Sequence, residues 1–325
     1  MPNKFIKPLI MVGLIALLAV ILYLTYWLIG IDVITIGQLV RGLSRRGARV
    51  VAMIVVAFTM GMTGLFFQTL TQNRILTPSV IGFDSTFVLS QTLIVFLFGS
   101  STVLIANPYY NFILSTLVMV FSSLLLYGFV LKKGKNNLAL LLLVGLVFRT
   151  LMGSLTSFLS RIIDPDDFLV VTSRSMASLT NMNTDILWYL ALPILVLVII
   201  LMARDTKSFD VMNLGEDQAK SLGVSYHKLM NRHLIYIAIL ISVSTALVGP
   251  LMFLGLITVN LSREILKTDY HKPLLWMSSL LGIVFLVLGQ FILTTLNLNT
   301  SLATLINLIR GLYMISILVK GEKQA

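Results

Sequence analysis

The side chains able to do chemistry in this chain are few. Only three histidines occur, His227, His233 and His271, and all fall at the edges of basic loops without metal-ligand spacing. No H-E-x-x-H, no G-x-S-x-G and no G-x-x-x-x-G-K-[ST] is present, so the sequence offers no zinc helix, no serine elbow and no phosphate loop. No pair of carboxylates shares one apolar run, as proton relays often require. What remains is the chemistry of contact. It concentrates in Ser208 to Lys228, SFDVMNLGEDQAKSLGVSYHK, a polar island between long apolar runs.

Within the island, Val211, Leu214, Ala219 and Leu222 fall at helical spacing on one stripe that Gly215 interrupts. Glu216 and Asp217 follow, where a helix N-terminus favours negative charge, and Gly223 sits where helices commonly end. The pattern predicts two short helices joined at Gly215 and presenting a small apolar ridge. Two readings fit that ridge: insertion into a groove on a soluble partner, or an amphipathic loop resting on lipid headgroups.

The elements that must position these residues are membrane helices. The 325 residues are 57% hydrophobic and 11% charged, with a mean hydropathy of +0.96. Soluble domains carry about 25% charged residues, so this is an integral membrane protein. No stretch is polar enough for a separate soluble domain, and residues 1–325 read as one transmembrane unit. Cysteine is absent, which excludes disulfides and thiolate metal sites. The net charge of +11 belongs to loops beside a membrane and does not point to nucleic acid.

Apolar runs fall at about 8–30, 50–67, 79–106, 110–131, 138–160, 186–203, 233–248, 250–262, 273–296 and 302–319. Five basic groups check the count: Lys4 and Lys7; Lys132, Lys133 and Lys135; Arg204, Lys207, Lys220, Lys228 and Arg232; Arg263, Lys267 and Lys272; Lys320 and Lys323. Basic loops stay cytoplasmic, so an even number of crossings separates each pair. About ten spans satisfy every interval, with both termini inside and Asp164, Asp166 and Asp167 outside. The first run, too long for a signal-peptide core, reads as an uncleaved span. Thr77-Pro78 is a start signal for the third span, and Pro250 suits the first turn of the eighth.

Arg41, Arg45, Arg46 and Arg49 break the charge rule, because they fall outside, between the first two spans. An acidic partner docking on the outer face would account for them, and a solvated loop is the alternative. Arg149 and Arg310 lie within spans, where an arginine faces a cavity or pairs with a polar group. Gln68, Asp84, Gln91, Gln290 and Asn307 are polar groups of the kind that join helices. Gly61 and Gly64 suit close packing of the second span.

Two motifs carry a family resemblance. Gln68-Thr-Leu-Thr-Gln-Asn73-Arg-Ile-Leu-Thr-Pro78-Ser-Val-Ile-Gly82 resembles Q-x-x-x-x-N-P-L-A-x-P-x-x-x-G, with Arg74 at the first proline. Leu214-Gly215-Glu-Asp-Gln-Ala219-Lys-Ser-Leu222-Gly223-Val224 is a full match to L-G-x-x-x-A-x-x-L-G-V. From about Gln38 to Gly321 the chain resembles the FecCD/BtuC-like permeases of bacterial ATP-binding-cassette importers for iron-siderophores, haem and cobalamin. It departs from them at Val259-Asn260, which replaces Pro-His, at Gln290 and Thr294, and around Arg310-Gly311. Ile163-Asp164-Pro165 and Phe168 resemble permeases for catecholate-type siderophores.

The resemblance implies an all-α permease of about ten spans with the type II ABC importer fold. It implies that Leu214, Gly215, Glu216, Ala219, Leu222 and Gly223 couple to an ATPase subunit. Arg46 and Arg49 would meet acidic residues of an extracytoplasmic substrate-binding protein, and Gln68, Arg149 and Arg310 are candidates for the translocation path. The expected partners are two ATPase subunits, a second permease of the same or a different kind, the binding protein and the bilayer of the bacterial inner membrane. ATP and Mg would sit on the ATPase, this chain binding no cofactor and catalysing no reaction. The expected cargo is a ferric siderophore. The rival reading is an ion-coupled secondary transporter of a small anionic solute, which leaves the Leu214–Val224 ridge and the outer arginines unexplained.

Overall fold

A computed structural model describes residues 3–28, 36–133, 138–251, 253–296, 298, 300–309 and 311. Those residues form helices and connections, with no strand among them. The principal helices are α1 (Asn3–Thr25), α2 (Ile36–Leu70), α3 (Phe83–Phe98), α4 (Pro108–Lys133), α5 (Leu138–Ser160), α6 (Thr184–Ala203), α7 (Tyr226–Val248), α8 (Leu254–Leu266), α9 (His271–Thr295) and α10 (302–309). Among the described residues, α1, α2, α4, α5, α6, α7 and α9 contain the 7 segments long and apolar enough to cross a bilayer. α6 contains a π turn over Leu187–Ala191, just ahead of Pro193, whose missing N–H cannot continue the regular ladder.

α2, α7 and α9 form the centre. The apolar window of α2 is 83% buried and that of α5 only 11%, so α2 is an inner post while α5 lies at the rim. α9 packs along α2, α1 and α8; α7 packs on α4, α2 and α6; α3 packs on α5 and α4. α8 has 13 residues, about 20 Å at 1.5 Å per residue, too short for the hydrocarbon. Protein covers it instead. Gly255 rests on the Met60 carbonyl and on Gly64, and Gly61 lies against the backbone of Ser278 and Ser279. A side chain at any of these glycines would push helices apart, which for Gly61 and Gly64 is the packing role their place in the second span predicts.

The loops gather at two ends. At the end carrying Ser208–Lys228, Gln72 donates to the Met212 carbonyl, Arg74 pairs with Asp269, and Asp210 accepts from His271. At the opposite end, Arg49 donates to the Thr180 carbonyl, Ser178 N–H to Val248, and Gln290 to Thr180. This grouping is the one that alternating passes of the helices require. Lys135, Arg310, Lys320 and Lys323 lie outside the described residues.

Three details differ from the sequence expectation. The run 79–106 is not one helix. A 3-10 turn at Pro78–Ile81 ends at Gly82 (φ 103°), α3 follows, and a short helix at Val103–Ala106 comes after Gly99. Thr77 precedes Pro78 as expected but its hydroxyl makes no capping bond. Pro250 does not open a helix. Gly249 (φ 84°) approaches Ala177 so closely that a Cβ would stand 2.7 Å from its Cα, and α8 begins only at Leu254. The four arginines from Arg41 to Arg49 lie on α2, not in a loop. Its 35 residues span about 52 Å, so its first turns extend beyond ~30 Å of hydrocarbon.

Candidate functional site

The island folds as two short helices, Thr206–Met212 and Glu216–Ser221, as its pattern predicts. Gly215 makes the turn between them at φ 102°, a conformation that a Cβ disfavours. Gly223 (φ 83°) closes the second helix: its N–H reaches the Lys220 carbonyl at 3.0 Å, while Val224 N–H reaches Ala219 at 3.0 Å. That pair of bonds is the Schellman motif. Lys220 of the same helix and His227 flank Glu216 at 2.5 and 3.2 Å, and the His227 contact ties the second helix to the start of α7. The groups are exposed, so this contributes about 0–1 kcal/mol.

The predicted single stripe does not survive. Leu214 and Leu222 are 59% and 63% exposed, whereas Ala219 is fully buried and Val211 half-buried. Leu214 follows the end of the first helix and Leu222 is the C-cap of the second, so both project from helix ends while Ala219 lies within its helix against the bundle. Ala219 therefore seats the helix on the bundle and is not part of an outward ridge. The surface left for a partner consists of Leu214, Leu222, the exposed residues Glu216, Asp217 and Lys220, and the glycine turns.

The seat beneath that surface is aromatic and polar. Phe209 is fully buried, with ring centroids 4.4 Å from both Phe66 of α2 and His233 of α7. Phe66 and His233 stack at 5.3 Å with an interplanar angle of 5°. His271 of α9 lies edge-on to both phenylalanines at 5.7 and 5.8 Å. One Asp210 oxygen accepts from both the N–H and the Nδ1 of His271, each at 2.7 Å, and Nε2 lies 2.8 Å from the Thr69 hydroxyl. Arg232 donates to Asp205 at 2.6 Å. Sequence reasoning placed His233 and His271 at loop edges and assigned Phe209 and Asp210 no role. Their only signal was an aromatic and an acid side by side in an otherwise weak helix.

Beside this seat, Arg263 at the end of α8 donates to Gln68 Oε1 and lies 3.6 Å from Asp269, which also pairs with Arg74 at 3.0 Å. Gln68 is thus a tie between α2 and α8. At 2% exposure it lines no path in this conformation, contrary to the sequence expectation.

At the opposite end the arginines divide. Arg46 donates to the Tyr23 carbonyl at 2.7 Å and lies over the Tyr23 ring at 5.2 Å. It closes the C-terminal end of α1 while staying half-exposed. Arg49 reaches Thr180 at 3.3 Å and, with exposed Arg45 and Asp185, lines a groove of about 360 Å³. A second cavity of about 550 Å³ lies between α3, α4, α7 and the segment 173–186, with Arg174, Asn111, Asn181 and Asn183 on its wall. Burial holds the Arg174 guanidinium below its ordinary pKa.

Arg149 stands half-exposed on α5, with its backbone against Gly82 and its charge acting on buried Asp84 near the start of α3. Arg310 lies outside the described residues. Among the described residues no cluster of three or more histidines or carboxylates is placed to hold a metal ion. The arrangement provides contact surfaces at both ends of a helical bundle.

The profile of the FecCD transport family matches residues 9–320. The petrobactin import system permease protein YclO of Bacillus subtilis is 46% identical over 282 residues, 86% of this chain and 89% of its own length. The petrobactin import system permease protein FatC of Bacillus anthracis is 32% identical over 277 residues, 85% of this chain and 78% of its own. A solved metal-chelate type ABC transporter in an inward-facing conformation superposes with a TM-score of 0.82 over 97% of this chain and 99% of its own, at 22% identity.

Proposed function

This chain belongs to the FecCD transport family, and from that premise we propose that it is the permease subunit of an ATP-binding-cassette importer that carries a ferric siderophore into the cytoplasm. The observation that carries the reading is the exposed Leu214–Leu222 surface on an element whose Phe209, Met212 and Ala219 are buried. A loop lying on headgroups would turn its apolar side chains toward lipid; here two leucines project while Phe209, Met212 and Ala219 face the bundle. Two exposed leucines around a glycine turn suit a cleft on a soluble subunit. The petrobactin permeases among its relatives support an iron chelate as cargo.

In this reading two ATPase subunits bind the island end and hold the ATP and Mg. A second permease, identical or different, completes the path, and a binding protein delivers the chelate at the opposite end through Arg49 and Arg45. The protein spans the bacterial inner membrane many times, with both termini in the cytoplasm, and performs no chemistry on the solute. Closure of the ATPases shifts the permease between outward- and inward-open states, and ATP supplies the difference in their stabilities. Reconstitution tests it. Uptake should require the ATPase subunits and ATP; accumulation driven by a proton or sodium gradient without them would replace it with the secondary-transporter reading.

A further inference from the structure

α9 has no N-terminal cap of its own. Tyr270 occupies the capping position and its side chain caps nothing. The first helical N–H, that of His271, goes instead to the Asp210 carboxylate at 2.7 Å, on the short helix that leads into the docking turn. The same oxygen accepts from His271 Nδ1 at 2.7 Å, so Nδ1 carries a hydrogen. The other ring nitrogen lies 2.8 Å from Thr69 Oγ1, in the last turn of α2. The His271 side chain is 1% exposed, between Phe66 and Phe209. One buried ring therefore touches the docking segment, α9 and α2 together.

A carboxylate at a helix N-terminus is held by the unsatisfied N–H groups and by the helix dipole, and a charged acceptor makes the bond about twice as strong as a neutral one. The docking element has other ties, and they go to α2 and α7: Phe209 packs on Phe66 and His233, Arg232 donates to Asp205 at 2.6 Å, Glu216 meets His227, and Gln72 gives the Met212 carbonyl one bond at 3.2 Å. Asp210 is the group of Thr206–Met212 that holds a backbone N–H at the end of α9, so displacement of this segment pulls on α9, the helix that packs along α2, α1 and α8.

We propose that Asp210 and His271 form the clasp through which the docking segment moves α9, making them positioning residues for transport that touch neither ATPase nor cargo. The proposal rests on the docking function assigned to Leu214–Leu222. Because the chain contains no cysteine, labels can be placed singly. In the assembled importer, pulsed EPR would follow Gln218→Cys and Lys272→Cys, each paired with Tyr110→Cys at the opposite end, with and without ATP. In otherwise unaltered protein both distances should change with ATP. With Asp210→Ala the Gln218 distance should still change, the Lys272 distance should not, and at least tenfold more ATP should be hydrolysed per chelate imported. Asp210→Asn, which keeps an acceptor for the N–H, should fall between. If both distances still respond in Asp210→Ala and the ATP cost is unchanged, the clasp alone is overturned. If neither responds in the unaltered importer, the docking reading fails and the clasp with it. If hydrolysis and uptake fall in equal proportion, the pair is only structural and the proposal is also overturned.

Discussion

Phe209 inserts its ring against Phe66, centroid to centroid at 4.4 Å, and this contact seats the partner-facing segment on the central helix α2. Both rings are fully buried. Truncating a buried phenylalanine costs about 3–5 kcal/mol through lost transfer energy and the cavity left behind. Phe209→Ala should lower the unfolding temperature of the purified permease by several degrees. It should also weaken ATPase co-purification, because the docking surface loses its seat. Phe209→Leu should recover most of both. A variant that melts normally and still co-purifies would show that the seat lies elsewhere.

Leu214 and Leu222 make the opposite prediction. They are exposed in the isolated chain, so substitution should change its stability by no more than about 0.5 kcal/mol. Leu222→Asp and Leu214→Asp should therefore insert and melt as the unaltered protein does, yet lose at least tenfold in affinity for the ATPase, measured by co-purification or biolayer interferometry. Ala219→Asp should instead impair folding, since Ala219 is fully buried. Normal ATPase binding by Leu222→Asp would remove the leucine surface from the interface.

The arginines of α2 separate two effects. Arg49→Glu and Arg45→Glu should weaken binding-protein docking, and the loss should shrink as salt rises, because exposed charges are screened within about 8 Å at physiological ionic strength. Arg46→Glu should act mainly on stability, through the lost bond to the Tyr23 carbonyl. A titration of binding protein at low and high salt, beside a melting curve for each variant, distinguishes the three. A salt-dependent docking defect in Arg46→Glu equal to that in Arg49→Glu would refute the division.

The all-helical membrane class and the alternation of the spans were legible because hydropathy and loop charge are properties of contiguous sequence. So were the turns of the island: Gly215 and Gly223 adopt the positive φ their positions demand. The facing of residues at helix ends was not legible. Ala219 shares a spacing with Leu222, yet Ala219 lies inside the short helix against the bundle while Leu222, at its C-terminal cap, projects outward. Long-range ties were hidden for a related reason. Gln68 meets Arg263 across 195 residues, and Arg46 turns back to Tyr23 on the preceding helix. Such partners are chosen by packing, and no local pattern encodes them.

Asp84 and Arg149 give the last prediction. Asp84 is 3% exposed and Arg149 stands near it on the neighbouring helix, its charge acting on the carboxylate. No ion pair joins the two within 4.0 Å; if the charges nonetheless act as a pair, removing one member destabilises because the other is left uncompensated, whereas removing both is often nearly neutral. Arg149→Gln should therefore lower the melting temperature more than Arg149→Gln combined with Asp84→Asn, a coupling that a double-mutant cycle on the purified permease would measure at about 0.5–3 kcal/mol. If Arg149 serves only the anionic cargo, the cycle will show no coupling in stability. Uptake of the ferric chelate will then fall equally in the single and double variants. Positive coupling with uptake restored in the double variant would assign Arg149 to helix pairing and remove it from the path.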